Sequence, residues 1–298
     1  MLILMLFGNM NKTLSCGYHG SEKSGGKENG DKMAIRLLAV DLDDTLLSEA
    51  CEVSEANKKA IQEAVARGVI VTIATGRMFE SAQKIAKEIG LDVPLIAYNG
   101  ALVQSAISEE VLMKQCLDED AAQAVLELFR EKGWYVQLYR NDTLYVDVAT
   151  EDTRDYEDRV KTKAVEIGKA FYEDPKDILK MLAIDDPDKL DFVEETVQTA
   201  FQGKVFAPRS RPRLLEIVNA KVNKGEALRF VAEHFGVKRE EVMAIGDSNN
   251  DIAMLEYAGL GVAMDNASPR VKEVADVMTK SNEEDGVAAA IKEYILAE

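Results

Sequence analysis

Cysteine, histidine and positive charge are all scarce in this chain, and each shortage removes a class of function. The three cysteines, Cys16, Cys51 and Cys116, are odd in number and far apart. No C-x-x-C pair occurs, so neither a disulfide framework nor a cysteine zinc site is indicated. The two histidines, His19 and His234, leave imidazole chemistry few candidates. His234 lies in an apolar helical stretch before Gly236 and reads as a boundary residue. Basic residues number 36 against 53 acidic ones, a net charge of −17. Nucleic acid is not an expected partner, because its affinity comes largely from cations that neutralise phosphates. No apolar run approaches the ~18 residues of a membrane-crossing helix. No membrane partner is expected, and the expected location is cytoplasmic. A small phosphorylated ligand stays compatible with the acidic balance if its site is locally positive or holds a metal.

What is present is an ordinary globular composition, 47% hydrophobic and 30% charged over 298 residues. That length suits one large domain or two smaller ones with a substantial core, and a monomer or weak homo-oligomer is expected. Residues 1–32 read apart from the rest. Met1 to Gly8 is apolar but lacks a basic segment before it and a clean cleavage site after it. Ser21 to Lys32 is rich in Gly, Ser, Lys and Glu, like flexible linker. The segment reads as a disordered extension, with a degenerate secretion signal as the lesser alternative.

From residue 33 the pattern alternates. Leu37-Leu38-Ala39-Val40 is a short apolar run of the buried-strand kind. The spacing then predicts a helix over 55–66, a strand over 69–74, a helix over 79–89 closed by Gly90, and a strand over 94–98. Strands that alternate with helices imply a doubly wound parallel sheet. The pattern changes from 101 to 115, which reads as a hairpin. Helices over 119–132 and 188–201 then mix with strands over 135–139, 144–148, 178–184, 205–207 and 214–218. The segment 151–165 reads as helical or irregular, and 209–213 as a basic loop. Alternation resumes with a helix over 224–235, strands over 242–245 and 261–264, and helices over 252–258 and 286–296. The expected architecture is α/β: a core from 33–114 and 213–298, with an α+β domain inserted over 115–212.

The chemistry starts where the first run ends. Asp41, Asp43 and Asp44 place three carboxylates in four positions beside a core strand. Buried carboxylates need a metal or a hydrogen-bond network, and Mg²⁺ takes such ligands while leaving room for a phosphate. Ligands bind at the carboxyl ends of strands in parallel sheets, where Asp41, Asp43, Thr75 and Asn99 fall. Gly246-Asp247-Ser248-Asn249-Asn250-Asp251 brings more carboxylates to that edge, and Lys224-Gly225 opens a helix. A carboxylate can act as nucleophile toward phosphorus. A second one two residues on shares its side of an extended chain and can serve as acid and base.

These residues resemble a known family. The stretch from about residue 34 to 298 resembles the haloacid-dehalogenase-like hydrolases, of the Cof-like group with an α+β cap. Asp41-Leu42-Asp43-Asp44-Thr45-Leu46 fits the first motif, D-x-D-x-T-L; Ala74-Thr75-Gly76-Arg77 fits the second. Asn223-Lys224-Gly225 fits the third, and Gly246 to Asp251 the fourth. Tyr98-Asn99-Gly100-Ala101 matches the group's signature before the cap. The resemblance implies a Mg²⁺-dependent phosphatase of small phosphorylated metabolites, sugar phosphates leading, through an aspartyl phosphate. Asp41 would be nucleophile and metal ligand. Asp43 would be acid and base, with its carbonyl on the metal. Thr75 and Gly76 would bind the phosphoryl group, Lys224 would neutralise it and orient Asp41, and Asn250 would contact phosphate. Asp247 would complete the metal site, and Asp251 would pair with Lys224 or support the metal through water. A phosphomutase, or a binding protein without turnover, is the alternative.

Other residues carry two readings. Thr75 and Asp251 could also cap helices. Arg77 reads as structural or as a substrate contact, and Asn99 as a turn or site residue. Asp44 reads as a turn residue, the arginines over 209–213 as a solvated loop before an anion grip, and Trp134 and Tyr135 as packing before sugar stacking.

Overall fold

In a computed structural model the chain is described over residues 34–160 and 162–297, and the extension expected at 1–32 lies outside them. The chain opens with β1 (Leu37–Val40), α1 (Glu55–Ala66), β2 (Ile70–Ile73), α2 (Phe79–Ile89), β3 (Pro94–Ala97), β4 (Leu102–Ser105) and β5 (Val111–Lys114). Next come α3 (Glu119–Lys132), β6 (Val136–Arg140), β7 (Thr143–Val146), α4 (Glu151–Val160) and β8 (Ala164–Glu166). They are followed by β9 (Ile178–Ile184), α5 (Pro187–Ala200), β10 (Val205–Phe206), β11 (Arg209–Arg211) and β12 (Leu214–Asn219). The chain closes with α6 (Lys224–His234), β13 (Val242–Gly246), α7 (Ile252–Tyr257), β14 (Leu260–Ala263), α8 (Pro269–Val274), β15 (Val277–Met278) and α9 (Gly286–Ile291).

Five strands form the parallel sheet, in the order β15-β14-β13-β1-β2. β1 lies between β13 and β2, and its residues are at most 1% exposed. A strand with partners on both edges and no solvated face has no polar side, so it reads as an unbroken apolar run. Local signals set the helix ends. The Ser54 hydroxyl accepts from Asn57 N and starts α1, the Asn223 side chain accepts from Glu226 N and starts α6, and Gly90 ends α2 at φ 83°.

The second sheet runs β10-β12-β9-β6-β7-β8, with β11 paired to β12. Its strands alternate in what they bury, as the period of two requires. Val136, Leu138, Met181, Ala183, Leu215 and Ile217 pack with Val125, Phe129, Leu190 and Val193 of α3 and α5 in a separate apolar core. The intervening Leu182, Ile184, Leu214 and Val218 join the main core instead. The fold is thus α/β, a parallel-sheet core with an inserted α+β cap.

Several expectations change. β3 does not extend the parallel sheet. It pairs antiparallel with β4 and shares a single parallel bridge, Ala74–Ile96, with the chain leaving β2. The reversal is made by Tyr98, Asn99 and Gly100, all at positive φ (51°, 57° and 101°). Arg209–Arg211 is a strand on β12 rather than a loop. β12 pairs with β9, so the second sheet runs past the boundary expected at 212. An apolar strand reads alike in either sheet, so the sequence pattern does not mark which sheet β12 joins. The end of the segment 151–165 is β8, paired parallel with β7.

Candidate active site

The parallel register places the ends of β1, β2 and β13 along one edge. Asp41 follows β1, Thr75-Gly76-Arg77 follows β2, and Asp247 follows β13. Asp41 N donates to Ile245 O at 3.0 Å and ties the first exit to the third. Lys224 reaches the same edge from the first turn of α6. Gly225 makes this possible, because a Cβ there would stand 2.3 Å from the Ala253 carbonyl oxygen. The missing side chain lets α6 lie against α7, which follows Asp251 directly.

Lys224 is wholly buried, and its Nζ lies 2.5 Å from Asp41 Oδ1 and 2.6 Å from Asp251 Oδ1. Asp251 Oδ2 accepts from Asp247 N at 3.0 Å and Ser248 N at 2.9 Å. Both Asp251 oxygens are therefore engaged, and the residue holds the turn and the lysine together. Asp247 accepts from the hydroxyls of Thr45 and Ser248, each at 2.8 Å. Burial and the Asp251 charge push Asp41 well above the usual carboxylate range, despite Lys224. Burial and Asp251 likewise push Asp247 up to about 6, against the hydroxyl bonds and Lys224. Burial would lower Lys224, but Asp251 and Asp41 outweigh it and hold the ammonium charged.

This arrangement fits a divalent cation. Carboxylate oxygens of Asp41, Asp247 and Asp251 lie within 4.8 Å of one another. Three buried anions facing one ammonium leave a negative excess that a metal would offset. With Asp251 saturated by Lys224 and two amides, Asp41 and Asp247 are the carboxylates suited to hold it.

Asp43 is turned away from this cluster. Its carboxylate receives Arg77 through two bonds, Nη2–Oδ1 at 2.7 Å and Nε–Oδ2 at 2.9 Å. Burial would raise Asp43, but the Arg77 bonds and charge, with Arg211 and Lys224, hold it below its ordinary 3.8. Asp44, at φ 58°, receives Arg211 Nη2 at 3.1 Å, and its carbonyl accepts from Asn266. It is a turn residue, as expected, with an ion pair added.

Thr75 caps no helix. Its hydroxyl oxygen accepts from Arg77 N at 3.1 Å. The position before α2 is Met78, which supplies no side-chain bond. Asp142, in the β6–β7 turn, supplies it instead and accepts from Phe79 N at 3.0 Å and Glu80 N at 2.9 Å. The Tyr98 hydroxyl also donates to Asp142, at 2.6 Å. That bond helps hold a bulky residue at positive φ, a conformation that needs surrounding support. Asn99 and Asn250 meet through Asn250 Nδ2 to Asn99 Oδ1 at 3.0 Å. Asn250 Oδ1 is buried without a partner among the described residues.

The second sheet supplies the far wall of the cleft, and of its residues only Arg211 stands among the candidates the sequence offers. Lys180 of β9, Glu216 of β12, Arg211 of β11 and Tyr156 of α4 face Asp41, Asp43 and Gly76. Of the three arginines over 209–213 only Arg211 lines the cleft; Arg209 binds Asp191 and Glu194, and Arg213 binds Asp152. Trp134 packs edge-on against Phe129 and Phe192, and His234 stacks on Phe230. A signal for Lys180 and Glu216 was available: each is the lone charge in a mostly apolar strand.

The chain is 37% identical over 270 residues to YxeH of Bacillus subtilis (strain 168), covering 88% of this chain and 99% of that protein. It is 33% identical over 262 residues to the 5-amino-6-(5-phospho-D-ribitylamino)uracil phosphatase YcsE of the same organism, covering 88% and 96%. The X-ray structure of TM0651 from Thermotoga maritima superposes with a TM-score of 0.77 at 34% identity, over 87% of this chain and 97% of that one. The family model for haloacid dehalogenase-like hydrolases matches residues 38–291, and the chain belongs to that family.

Proposed function

We propose that this hydrolase is a Mg²⁺-dependent phosphatase of small phosphorylated metabolites, with phosphorylated sugars and polyols as the leading class, acting through an aspartyl phosphate on Asp41. The observation that carries the reading is the buried Lys224 ammonium shared by Asp41 and Asp251 beside Asp247. It holds one carboxylate oxygen of Asp41 and fixes the direction of the other. The Gly76 amide and the Thr75 hydroxyl would receive the phosphoryl oxygens, and Lys224 would offset their charge. A Mg²⁺ held by Asp41 and Asp247 would neutralise charge on the transferring group.

Asp41 attacks phosphorus while Asp43 protonates the leaving oxygen. Asp43 then takes a proton from the water that cleaves the acyl phosphate, freeing Asp41 and orthophosphate. In the structure Asp43 is held as an anion by Arg77. It must leave that pair to carry a proton, and Arg77 would then be free to turn to the phosphoryl oxygens. The inserted cap, taken as residues 115–219, would exclude bulk water. The ribityl phosphate named for YcsE is a polyol phosphate and supports the substrate class.

The test is orthophosphate release from a panel of sugar, polyol, nucleotide and cofactor phosphates, with and without Mg²⁺. Activity is expected on a subset, only with Mg²⁺, and none in Asp41→Asn although that variant folds. Undiminished turnover by Asp41→Asn sinks the mechanism.

A further inference from the structure

We propose that Lys180 and Glu216, a buried ion pair from the second sheet, are positioning residues that set the phosphate-binding turn Thr75-Gly76-Arg77. The turn is therefore competent only while the cap is seated on the core. The inference rests on the phosphatase reading for its purpose but not for its test.

Lys180 is 2% and Glu216 5% exposed. Buried charges are retained where partners satisfy them; Lys180 finds one in the turn itself, and Glu216 is held by Lys180 and by Asn99 beside the turn. Lys180 Nζ donates to the Gly76 carbonyl oxygen at 2.7 Å, lies 3.4 Å from Glu216 Oε2, and stands 4.7 Å from the Tyr139 ring centre. Glu216 Oε2 accepts from the Asn99 side-chain amide. A Cβ on Gly76 would stand 3.0 Å from Asn99 Oδ1 and 3.3 Å from Glu216 Oε1, so these groups press directly on the turn.

The consequence falls on one peptide plane. The Gly76 carbonyl and the Arg77 N–H belong to the same rigid amide. Lys180 holds its oxygen, and Thr75 Oγ1 holds its N–H. The Thr75 hydroxyl accepts there, so its own proton is free to point at a phosphoryl oxygen. The Gly76 N–H has no partner among the described residues and is available for the same use. Turning the 76–77 plane would disturb both donors together. The ammonium that prevents the turn comes from β9, 104 residues along the chain. Strand alternation explains the aim: Lys180 and Glu216 share the strand faces of Leu182, Ile184, Leu214 and Val218, which join the main core.

A residue that reads the leaving group would alter substrate preference. A residue that positions the turn alters affinity for orthophosphate itself, which has no leaving group. The experiment is calorimetric titration of orthophosphate, with Mg²⁺, into wild type, Lys180→Met and the double variant Lys180→Met/Glu216→Gln, alongside thermal unfolding. Lys180→Met is expected to weaken orthophosphate by about ten-fold, the scale of a hydrogen bond from a charged donor. It also leaves Glu216 unpaired and lowers Tm. The double variant removes both charges, so it is expected to recover Tm while its orthophosphate affinity stays low. Affinity within two-fold of wild type, or affinity that returns together with Tm, overturns the proposal. Should Lys180→Met fail to fold, the double variant carries the same test. A wild type that binds orthophosphate but hydrolyses no phosphomonoester sinks the phosphatase reading and leaves this one standing. A wild type that binds none sinks both.

Discussion

Asp247→Asn is expected to make the metal-free protein more stable while removing its activity. Asp247 is 7% exposed, and its carboxyl is pushed from the ordinary 3.8 up to about 6 by burial and by Asp251. A raised carboxyl pKa means the folded state holds the proton more tightly than the unfolded chain. Ionised Asp247 therefore costs stability: nothing below pH 3.8, progressively more up to about pH 6, and the full amount above. Each pKa unit corresponds to ~1.4 kcal/mol, so the shift amounts to at most about 3 kcal/mol at neutral pH, part of it shared with Asp41 and Asp251. Asparagine keeps the shape, and its amide can still exchange hydrogen bonds with the Thr45 and Ser248 hydroxyls, which rotate to suit. At about 2–4 °C per kcal/mol for a chain of this size, the Tm gain reaches up to about 10 °C. The assay is thermal unfolding with chelator across pH 4.5 to 7.5, then with excess Mg²⁺. The variant is expected to lead at pH 7.5 and to lose that lead toward pH 4.5. Mg²⁺ is expected to reverse the order by stabilising wild type alone. Equal melting at pH 7.5 without metal, or a gap that stays constant with pH, refutes the reasoning.

Arg77→Met removes the partner that holds Asp43 below its ordinary pKa. Asp43 then keeps its proton to higher pH, so the basic limb of kcat/KM for an alkyl phosphate is expected to move upward; an unmoved limb would show that Asp43 is not the acid. Gly225→Ala drives a Cβ into the Ala253 carbonyl, 2.3 Å away. A loss of about 1–3 kcal/mol is expected from overpacking, with slower turnover as Lys224 is carried off Asp41. Denaturant unfolding with parallel kinetics checks both.

The residues legible in the sequence were those that backbone topology alone brings together. Once Leu37–Val40, Ile70–Ile73 and Val242–Gly246 are parallel neighbours, Asp41, Thr75 and Asp247 must share an edge, and a lysine opening the next helix has one place to go. Asp43 was legible as a second carboxylate but its capture by Arg77 was not, because a rotamer and a bidentate pairing leave no trace in spacing. Asn99 and Gly100 announce a left-handed turn after β3, but Tyr98 does not, and neither signal says that the next strand pairs antiparallel with β3. Lys180 and Glu216 are legible only as lone charges in buried strands; what they face depends on how one sheet docks against another, which local periodicity does not encode.

Asp142 bears on how the molecule comes apart. It sits in a turn of the second sheet, yet it satisfies the first amides of a core helix and the hydroxyl of Tyr98. A core expressed without its insert would expose those amides and leave Tyr98 buried without its acceptor. The core is then not a self-sufficient folding module. Melting is expected as a single cooperative event, and genetic excision of the insert is expected to give an insoluble remnant rather than a smaller enzyme.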